Sequence, residues 1–202
     1  MTRQALLRSI ERALLVAGIA LGAWSAAVLL EARYFRELPA PHPTAAVTML
    51  PGEKPSTPNR VHVPLPAGTW VARFEAPSVR LSATVLEGTD DATLRRAAGH
   101  IEDAALPGEP GNVGIAGHRD TIFRKVRELK VGDSMELTTT DWLYRYRIAK
   151  TLIVKPEDVY VLDPTSHPTL TIVTCYPFEF IGHAPQRYII QADLEGQQAR
   201  EP

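Results

Sequence analysis

Cysteine is nearly absent from this chain: 202 residues contain one, Cys175. One cysteine can form neither an internal disulfide nor a CxxC pair, so a structural bridge, a dithiol redox site and a cysteine-rich zinc site are excluded. The roles that remain for Cys175 are a small buried hydrophobic side chain and a reactive thiol.

An excess of charge of either sign is also missing. The formal net charge is -1, which provides no basic surface of the kind that binds nucleic acid. The chain shows no internal repeat. Its content of 45% hydrophobic and 22% charged residues is typical of a globular protein, and the chain is long enough for one well-buried core.

Charged side chains are absent from residues 13–30, ALLVAGIALGAWSAAVLL. As a helix this stretch would be about 27 Å long, close to the thickness of a bilayer's hydrocarbon core. Arg3, Arg8 and Arg12 precede it, which predicts a cytoplasmic N-terminus and an extracytoplasmic remainder. We therefore expect a single-pass signal anchor in the cell membrane. A cleavable signal peptide ending near Ser25 is one alternative, and a buried helix of a soluble protein is another, although the run is apolar on every face.

Proline is concentrated after this apolar stretch. Eight of the 17 prolines fall in residues 38–66, where they remove backbone donors and fix φ. This composition predicts a semi-extended spacer rather than helix or sheet. The expected organisation is a cytoplasmic tail (1–12), a transmembrane helix (13–30), a Pro-rich extracytoplasmic linker (31–67), a folded domain (68–195) and a C-terminal tail (196–202).

Short strands dominate the rest of the pattern. Residues 142–148, WLYRYRI, alternate aromatic and apolar side chains with arginine, as a half-buried strand does. Similar runs occupy residues 70–74, 81–86, 112–116, 134–138, 170–174 and 187–192. Many short strands with few helices indicate a small antiparallel or mixed β-barrel.

Two short helices are expected between the strands. Asp91 is a plausible N-cap for a helix over residues 92–98. A second helix would follow Asp120 as its cap and run to about Leu129, because Ile122, Phe123 and Val126 form an apolar stripe with that residue.

Cys175 ends the strand LTIVTC, just before a Tyr-Pro turn. Alternation places Cys175 on the face shared by Thr171 and Val173, at a position where a side chain can meet solvent. His118 also lies at a strand end, after NVGIAG, and Arg187 begins a strand whose other residues are mostly apolar. These three residues could converge at one rim of a barrel.

Such a convergence would favour acyl transfer. A nearby imidazole or guanidinium raises the reactive fraction of a thiol. Histidine can protonate a leaving amine and later accept a proton from an incoming nucleophile. Arginine stays charged and can stabilise the oxyanion of a tetrahedral intermediate or hold a substrate carbonyl.

Two segments carry a family resemblance. Residues 169–187, TLTIVTCYPFEFIGHAPQR, resemble the sortase signature TLxTC followed about a dozen residues later by arginine. Residues 105–123, ALPGEPGNVGIAGHRDTIF, are similar to the histidine-bearing segment of class D sortases, and the two segments occur in the family's order and spacing. The resemblance covers about residues 70–194.

The resemblance implies a mainly β fold, an eight-stranded sortase-type barrel, and a cysteine transpeptidase. In such enzymes the cysteine cleaves the Thr-Gly bond of an LPxTG-like sorting signal in exported proteins and passes the acyl group to an amine, such as a cell-wall precursor or a pilin lysine. When the family's roles are assigned to the matching positions of this sequence, Cys175 is the nucleophile, His118 is the general acid/base, and Arg187 is the oxyanion or substrate-positioning residue. Thr174 and His100 are expected to bind substrate. No cofactor, metal or nucleic acid is implied.

Other polar residues favour simpler roles. His100 matches a second histidine of class D sequences, for which groove lining or local hydrogen bonding is favoured over proton transfer. His183 is interpreted as a loop residue. The histidines and Cys175 lack the close spacing of common zinc motifs, and residues 87–91, EGTDD, lack the order of a calcium loop.

Two other function classes stay open. The chain could be a membrane-tethered barrel that binds exported peptides without catalysis, or a cysteine hydrolase that resolves the thioester with water. The sequence cannot separate hydrolase from transferase, since the same three residues would serve both. An L,D-transpeptidase is disfavoured because the chain lacks a Ser-His-Gly-Cys run.

Overall fold

The computed structural model describes residues 3–37 and 65–200. The first range is one helix, α1, which spans Arg3–Glu37. Its segment Ile10–Glu31 has a mean hydropathy of 2.2 and is unburied, so its length and composition suffice to cross a membrane. α1 continues past the expected boundary at Leu30. Residues 38–64, most of the expected Pro-rich linker, lie outside the described residues.

Residues 65–200 consist mainly of eight strands with short helices between them. The strands are β1 (Trp70–Ala76), β2 (Leu81–Glu87), β3 (Ala98–His100), β4 (Asn112–Gly117), β5 (Ser134–Thr138), β6 (Trp142–Val154), β7 (Thr169–Tyr176) and β8 (Gln186–Ala199). The one α-helix in this range is α2 (Asp91–Arg96), and three 3-10 helices cover Pro77–Val79, Arg124–Glu128 and Val159–Leu162.

The strands close into a barrel in the order β1-β2-β3-β4-β7-β8-β6-β5. The β2–β3 and β4–β7 pairs are parallel, and the other pairs are antiparallel. The predicted mainly β class and eight-stranded barrel are therefore confirmed. Closure leaves no unpaired sheet edge, which suits a small all-β unit in water.

Period-2 alternation determines which side chains fill the barrel. On β6, Tyr144, Tyr146 and Ile148 are buried while Arg145 and Arg147 face solvent, as the sequence predicted. The interior also holds Phe74 and Phe123, packed edge to face with ring centroids 5.8 Å apart. A smaller cluster of Val154, Val161 and Ile189 packs outside the main core. It involves the 3-10 helix Val159–Leu162, which thus covers part of the outer surface of the barrel.

The two expected helices differ from the prediction at their starts. The N-cap of α2 is Asp90, not Asp91, because the Asp90 carboxylate accepts hydrogen bonds from the N–H groups of Ala92 and Thr93. The second helix does not start at Asp120. The chain turns there, with the Phe123 N–H donating to the His118 carbonyl, and a 3-10 helix follows at Arg124–Glu128 without a side-chain cap.

Strand β3 was missed because Ala98–His100 is three residues long and its Ala-Gly composition is not typical of strands. The structure instead uses this segment to join β2 to β4. Strand β8 was expected to end near Ala192, but it pairs with β6 as far as Ala199. It therefore covers much of the segment that the sequence separated as a C-terminal tail.

Candidate active site

Strand β7 lies between β4 and β8, and this order brings the three candidate residues together. Cys175 is directly paired with Arg187 across the antiparallel β7–β8 ladder. Across the parallel β4–β7 ladder, Gly117 is aligned with Thr174. Cys175 follows Thr174 on β7, and His118 is the first residue after the end of β4 at Gly117, so the chain leaves β4 beside the cysteine.

Cys175 and Arg187 also share one face of the sheet. Ile172 and Thr174 are buried on the inner side of β7, so Val173 and Cys175, with the opposite parity, lie on the outer side. On β4, Ala116 is aligned with Val173 and lies on the same outer side, and His118 directly follows the last residue of this strand. Arg187 is a directly paired residue and therefore shares the face of Cys175. Adjacent strands are about 4.8 Å apart, so the backbone of Cys175 lies one strand spacing from that of Arg187.

Cys175 is a free thiol that is partly exposed to solvent. A cysteine that only filled the core would be sealed in the barrel interior, as Ile172 is, with no exposed surface. The sulfur is therefore in the kind of partly accessible position that a reactive thiol requires.

Arg187 is fixed by the backbone of the loop before it. Its Nη1 donates to the carbonyl oxygens of Ala184 at 3.3 Å and Gln186 at 3.0 Å. Within residues 3–37 and 65–200, no carboxylate forms an ion pair with Arg187. Its charge is thus not neutralised by an acidic side chain of the described protein, which leaves it able to stabilise negative charge near Cys175.

Thr174 is a structural neighbour of the thiol. Its side chain is 2% exposed, and its hydroxyl donates to the Gly117 carbonyl oxygen at 2.7 Å. This bond ties β7 to β4 one residue before both Cys175 and His118. The hydroxyl is therefore engaged inside the barrel, which differs from the direct substrate contact expected from the sequence.

His100 lies apart from the thiol, at the end of β3, and is 1% exposed. Its Nδ1 is 2.8 Å from a Glu87 carboxylate oxygen, and its Nε2 is 3.0 Å from the Ala105 carbonyl oxygen. Both ring nitrogens are thus occupied within the protein. The expected substrate-binding role does not fit this burial, and the local hydrogen-bonding alternative does.

His183 is exposed in the loop 177–185 between β7 and β8, as expected of a loop residue. Among residues 3–37 and 65–200, no group of three or more His, Cys, Asp or Glu side chains is arranged to hold a metal ion.

Arg119 is the residue near the site that sequence reasoning missed. It directly follows His118, is 9% exposed, and donates from Nη2 to the carbonyl oxygens of Phe180 at 2.5 Å and Gly182 at 3.0 Å. It therefore joins the end of β4 to the β7–β8 loop. The only feature of the sequence that could have indicated this role is that the arginine directly follows a histidine at a strand end.

Aromatic side chains stabilise the start of the β7–β8 loop. The rings of Phe178 and Tyr188 meet edge to face with centroids 5.3 Å apart, and Tyr176 contacts both. Tyr176 follows Cys175 and Tyr188 follows Arg187, so this cluster holds the two strand ends together beside the candidate site.

The family model for the sortase domain matches residues 74–195, which contain all three candidate residues. The chain belongs to the sortase family. It is 38% identical to Sortase D of Bacillus subtilis over 118 residues, which cover 58% of this chain and 60% of that protein. It is 32% identical to Sortase A of Listeria monocytogenes, over 62% of this chain and 56% of that protein.

The solved structure of a Clostridium perfringens Sortase D5 transpeptidase matches this sortase with a TM-score of 0.60 and 33% identity, covering 65% of this chain and 82% of that one. The resemblance to class D sortases predicted from the motifs is thus confirmed by relatives of that name. The match to the two curated relatives spans 56% and 60% of their lengths.

Proposed function

We propose that this sortase is a membrane-anchored cysteine transpeptidase that cleaves an LPxTG-like sorting signal and transfers the acyl group to an amine. The observation that supports the proposal is the register around β7: the partly exposed Cys175 is paired with Arg187 on β8, and the residue before Cys175 is aligned with the residue before His118. The family match and the 38% identity to a Sortase D support the same chemistry.

In the first half-reaction, His118 takes the proton of the Cys175 thiol, and the resulting thiolate attacks the threonine carbonyl carbon of the Thr-Gly bond. The electrons of the carbonyl move to its oxygen, and Arg187 stabilises the oxyanion. Collapse of this intermediate breaks the C–N bond, His118 donates a proton to the leaving amine, and the acyl group remains on sulfur as a thioester.

In the second half-reaction, an amine attacks the thioester carbonyl and gives its proton to His118. The C–S bond breaks, the Cys175 thiolate is restored, and a new amide joins the cleaved protein to the acceptor. Because the nucleophile and the leaving group are both amines, one histidine can serve in both directions. The amine acceptor, a cell-wall precursor or a pilin lysine, defines the biological outcome.

The outer face beside Cys175 is apolar. Val173 and Ile189 are paired two residues from Cys175 and Arg187 on this face; Val173 is partly exposed, whereas Ile189 is 1% exposed within the outer apolar cluster. The exposed part of Val173 is the apolar surface that this proposal assigns to the Leu-Pro part of the signal.

The apolar helix α1 gives the enzyme its location in this proposal. It would cross the cell membrane once, with the N-terminus in the cytoplasm because arginines precede the apolar run. The barrel would then lie outside the membrane. An anchored enzyme and an exported substrate held at the same surface meet at a raised effective concentration.

Product analysis tests the proposal. The detergent-solubilised full chain is incubated with an LPxTG-like peptide, with and without an added amine, and the products are separated by mass. An amine-joined product that is lost in Cys175→Ala supports the transpeptidase. Only the hydrolysed peptide would identify the cysteine hydrolase, and peptide binding without cleavage would identify a non-catalytic barrel.

A further inference from the structure

A pocket of about 210 Å³ opens between the β4–β5 connection and the β7–β8 loop. It has both arginine and acidic side chains in its wall. The lining residues are Arg119, Asp120, Arg124, Arg127, Phe178 and Glu179.

The charges in this wall do not cancel. Arg127 forms an ion pair with Glu179, so these two neutralise each other. Arg119 bonds only to backbone carbonyls, which hold its position without removing its charge. Asp120 is the remaining carboxylate against two remaining guanidinium groups. The pocket therefore favours an anion.

Two of the arginines have unused donors. Arg119 is 9% exposed, and its Nη1 has no hydrogen-bond partner among the described residues. A buried unpaired donor is costly, and such atoms call for an explanation. Arg124 is exposed on the 3-10 helix Arg124–Glu128, and no described side chain pairs with it. An oxygen-bearing anion held between these residues would supply acceptors to both.

The residues that line the pocket are close in sequence to the candidate catalytic residues. Arg119 directly follows His118, and Phe178 follows Cys175 by three positions with Glu179 next. The wall of the pocket and the reacting groups are therefore built on the same two strand ends.

We propose that this pocket binds a carboxylate carried by the amine acceptor. The inference rests on the proposed function, because an acceptor exists only if Cys175 forms a thioester. The fixed Leu, Pro, Thr and Gly positions of the sorting signal carry no anionic side chain, and its variable position carries one only when it is Asp or Glu, so we assign the anion to the acceptor. Holding its carboxylate beside the site would orient the amine toward the thioester.

The test measures the second half-reaction alone. The acyl-enzyme is first formed from the full chain and an LPxTG-like peptide, and its decay is followed with two series of primary amines of different spacer length. Within each series the amines differ only in a terminal carboxylate, carboxamide or phosphonate. In at least one series we expect the carboxylate to react roughly fivefold faster than the carboxamide at subsaturating concentration, as expected for a charge-assisted contact.

Matched variants assign this preference to the pocket. Arg124→Gln should abolish the advantage of the carboxylate, while Arg145→Gln, an arginine on the outer face of β6 paired with Glu136, should retain it. Glu179→Gln releases Arg127 from its ion pair and should increase the advantage. Equal rates for carboxylate and carboxamide in both series, or an advantage that survives Arg124→Gln, would overturn the proposal. A larger, Arg124-dependent advantage for the phosphonate would replace the carboxylate with a phosphate-type ligand.

A second measurement separates this inference from the proposed function. If no acyl-enzyme forms, the transpeptidase proposal has failed and acceptor binding has to be measured directly. Arginine side-chain NMR signals of the Cys175→Ala chain are then titrated with the same amines. Saturable shifts with the carboxylate and not the carboxamide, lost in the added Arg124→Gln variant, would retain an anion pocket, and their absence would reject it.

Discussion

Cys175 and Arg187 are directly paired residues of β7 and β8, and the residue before Cys175 is aligned with the residue before His118. Two ladders thus determine the composition of the candidate site. The guanidinium is further held by two backbone carbonyls, so its position does not depend on a flexible salt bridge.

Arg187→Ala should lower kcat about 10²- to 10³-fold, the range found when an oxyanion donor is removed. The kcat of Arg187→Lys should lie between those of Arg187→Ala and the wild type, because lysine keeps the charge but not the planar guanidinium. Turnover of an LPxTG-like peptide is the measurement. The control is alkylation of Cys175 by iodoacetamide, which should stay within a few fold of the wild-type rate. Unchanged turnover in Arg187→Ala would remove the assigned role.

Thr174→Val should lower the free energy of unfolding by roughly 1–3 kcal/mol, because the Gly117 carbonyl oxygen loses its buried donor. Thr174→Ser keeps the hydroxyl, so its free energy of unfolding should be closer to that of the wild type. Urea denaturation of the detergent-solubilised chain measures both. If Thr174→Val kept full stability but bound the peptide more weakly, Thr174 would be a substrate contact after all.

His100→Leu should destabilise the barrel by about 3–5 kcal/mol, because it leaves the buried Glu87 carboxylate without its partner. Replacing both residues with leucine should recover much of this loss, since no buried charge then remains. Thermal unfolding compares the three proteins. A stable His100→Leu variant with abolished peptide cleavage would instead assign His100 to the reaction.

The cap of α2 predicts a pH dependence of stability. Hydrogen bonds from the Thr93 hydroxyl and N–H, together with the Ala92 N–H, hold the pKa of Asp90 below its ordinary value of 3.8. The charged form is favoured in the folded state, so its contribution is complete above pH 3.8 and is lost as the pH falls through the folded-state pKa. Asp90→Ala should therefore be less stable than wild type at pH 7, with the difference shrinking below pH 3.8. A difference that stays constant with pH would contradict this role.

Alternation within a strand was readable from the sequence because it is a local property. WLYRYRI shows its buried and exposed faces in seven letters, and LTIVTC correctly placed Thr174 and Cys175 on opposite faces. Helix starts were less reliable. At Asp90-Asp91 two equivalent cap residues are adjacent, and after Asp120 a turn closed by the His118 carbonyl competes with a helix.

Proximity between distant segments was not readable without the family resemblance. The adjacency of His118 and Cys175 depends on the parallel pairing of β4 with β7. The hydrogen bond between Thr174 and Gly117 in this pairing joins residues that are 57 positions apart in the sequence. Parallel pairing requires a crossover connection, whose path no local pattern specifies. Arg119 was missed for the same reason, since its partners are backbone carbonyls of the β7–β8 loop, which carry no residue-type signal.

The most direct test of the central claim is the intact mass of the full chain after mixing with an LPxTG-like peptide in the absence of added amine. We predict a mass gain equal to the peptide acyl fragment, located on Cys175 by proteolysis and released by hydroxylamine as expected of a thioester. His118→Ala should slow its formation strongly, and Cys175→Ser should show no hydroxylamine-sensitive adduct. Peptide cleavage without any adduct, or an adduct on another residue, would contradict the account.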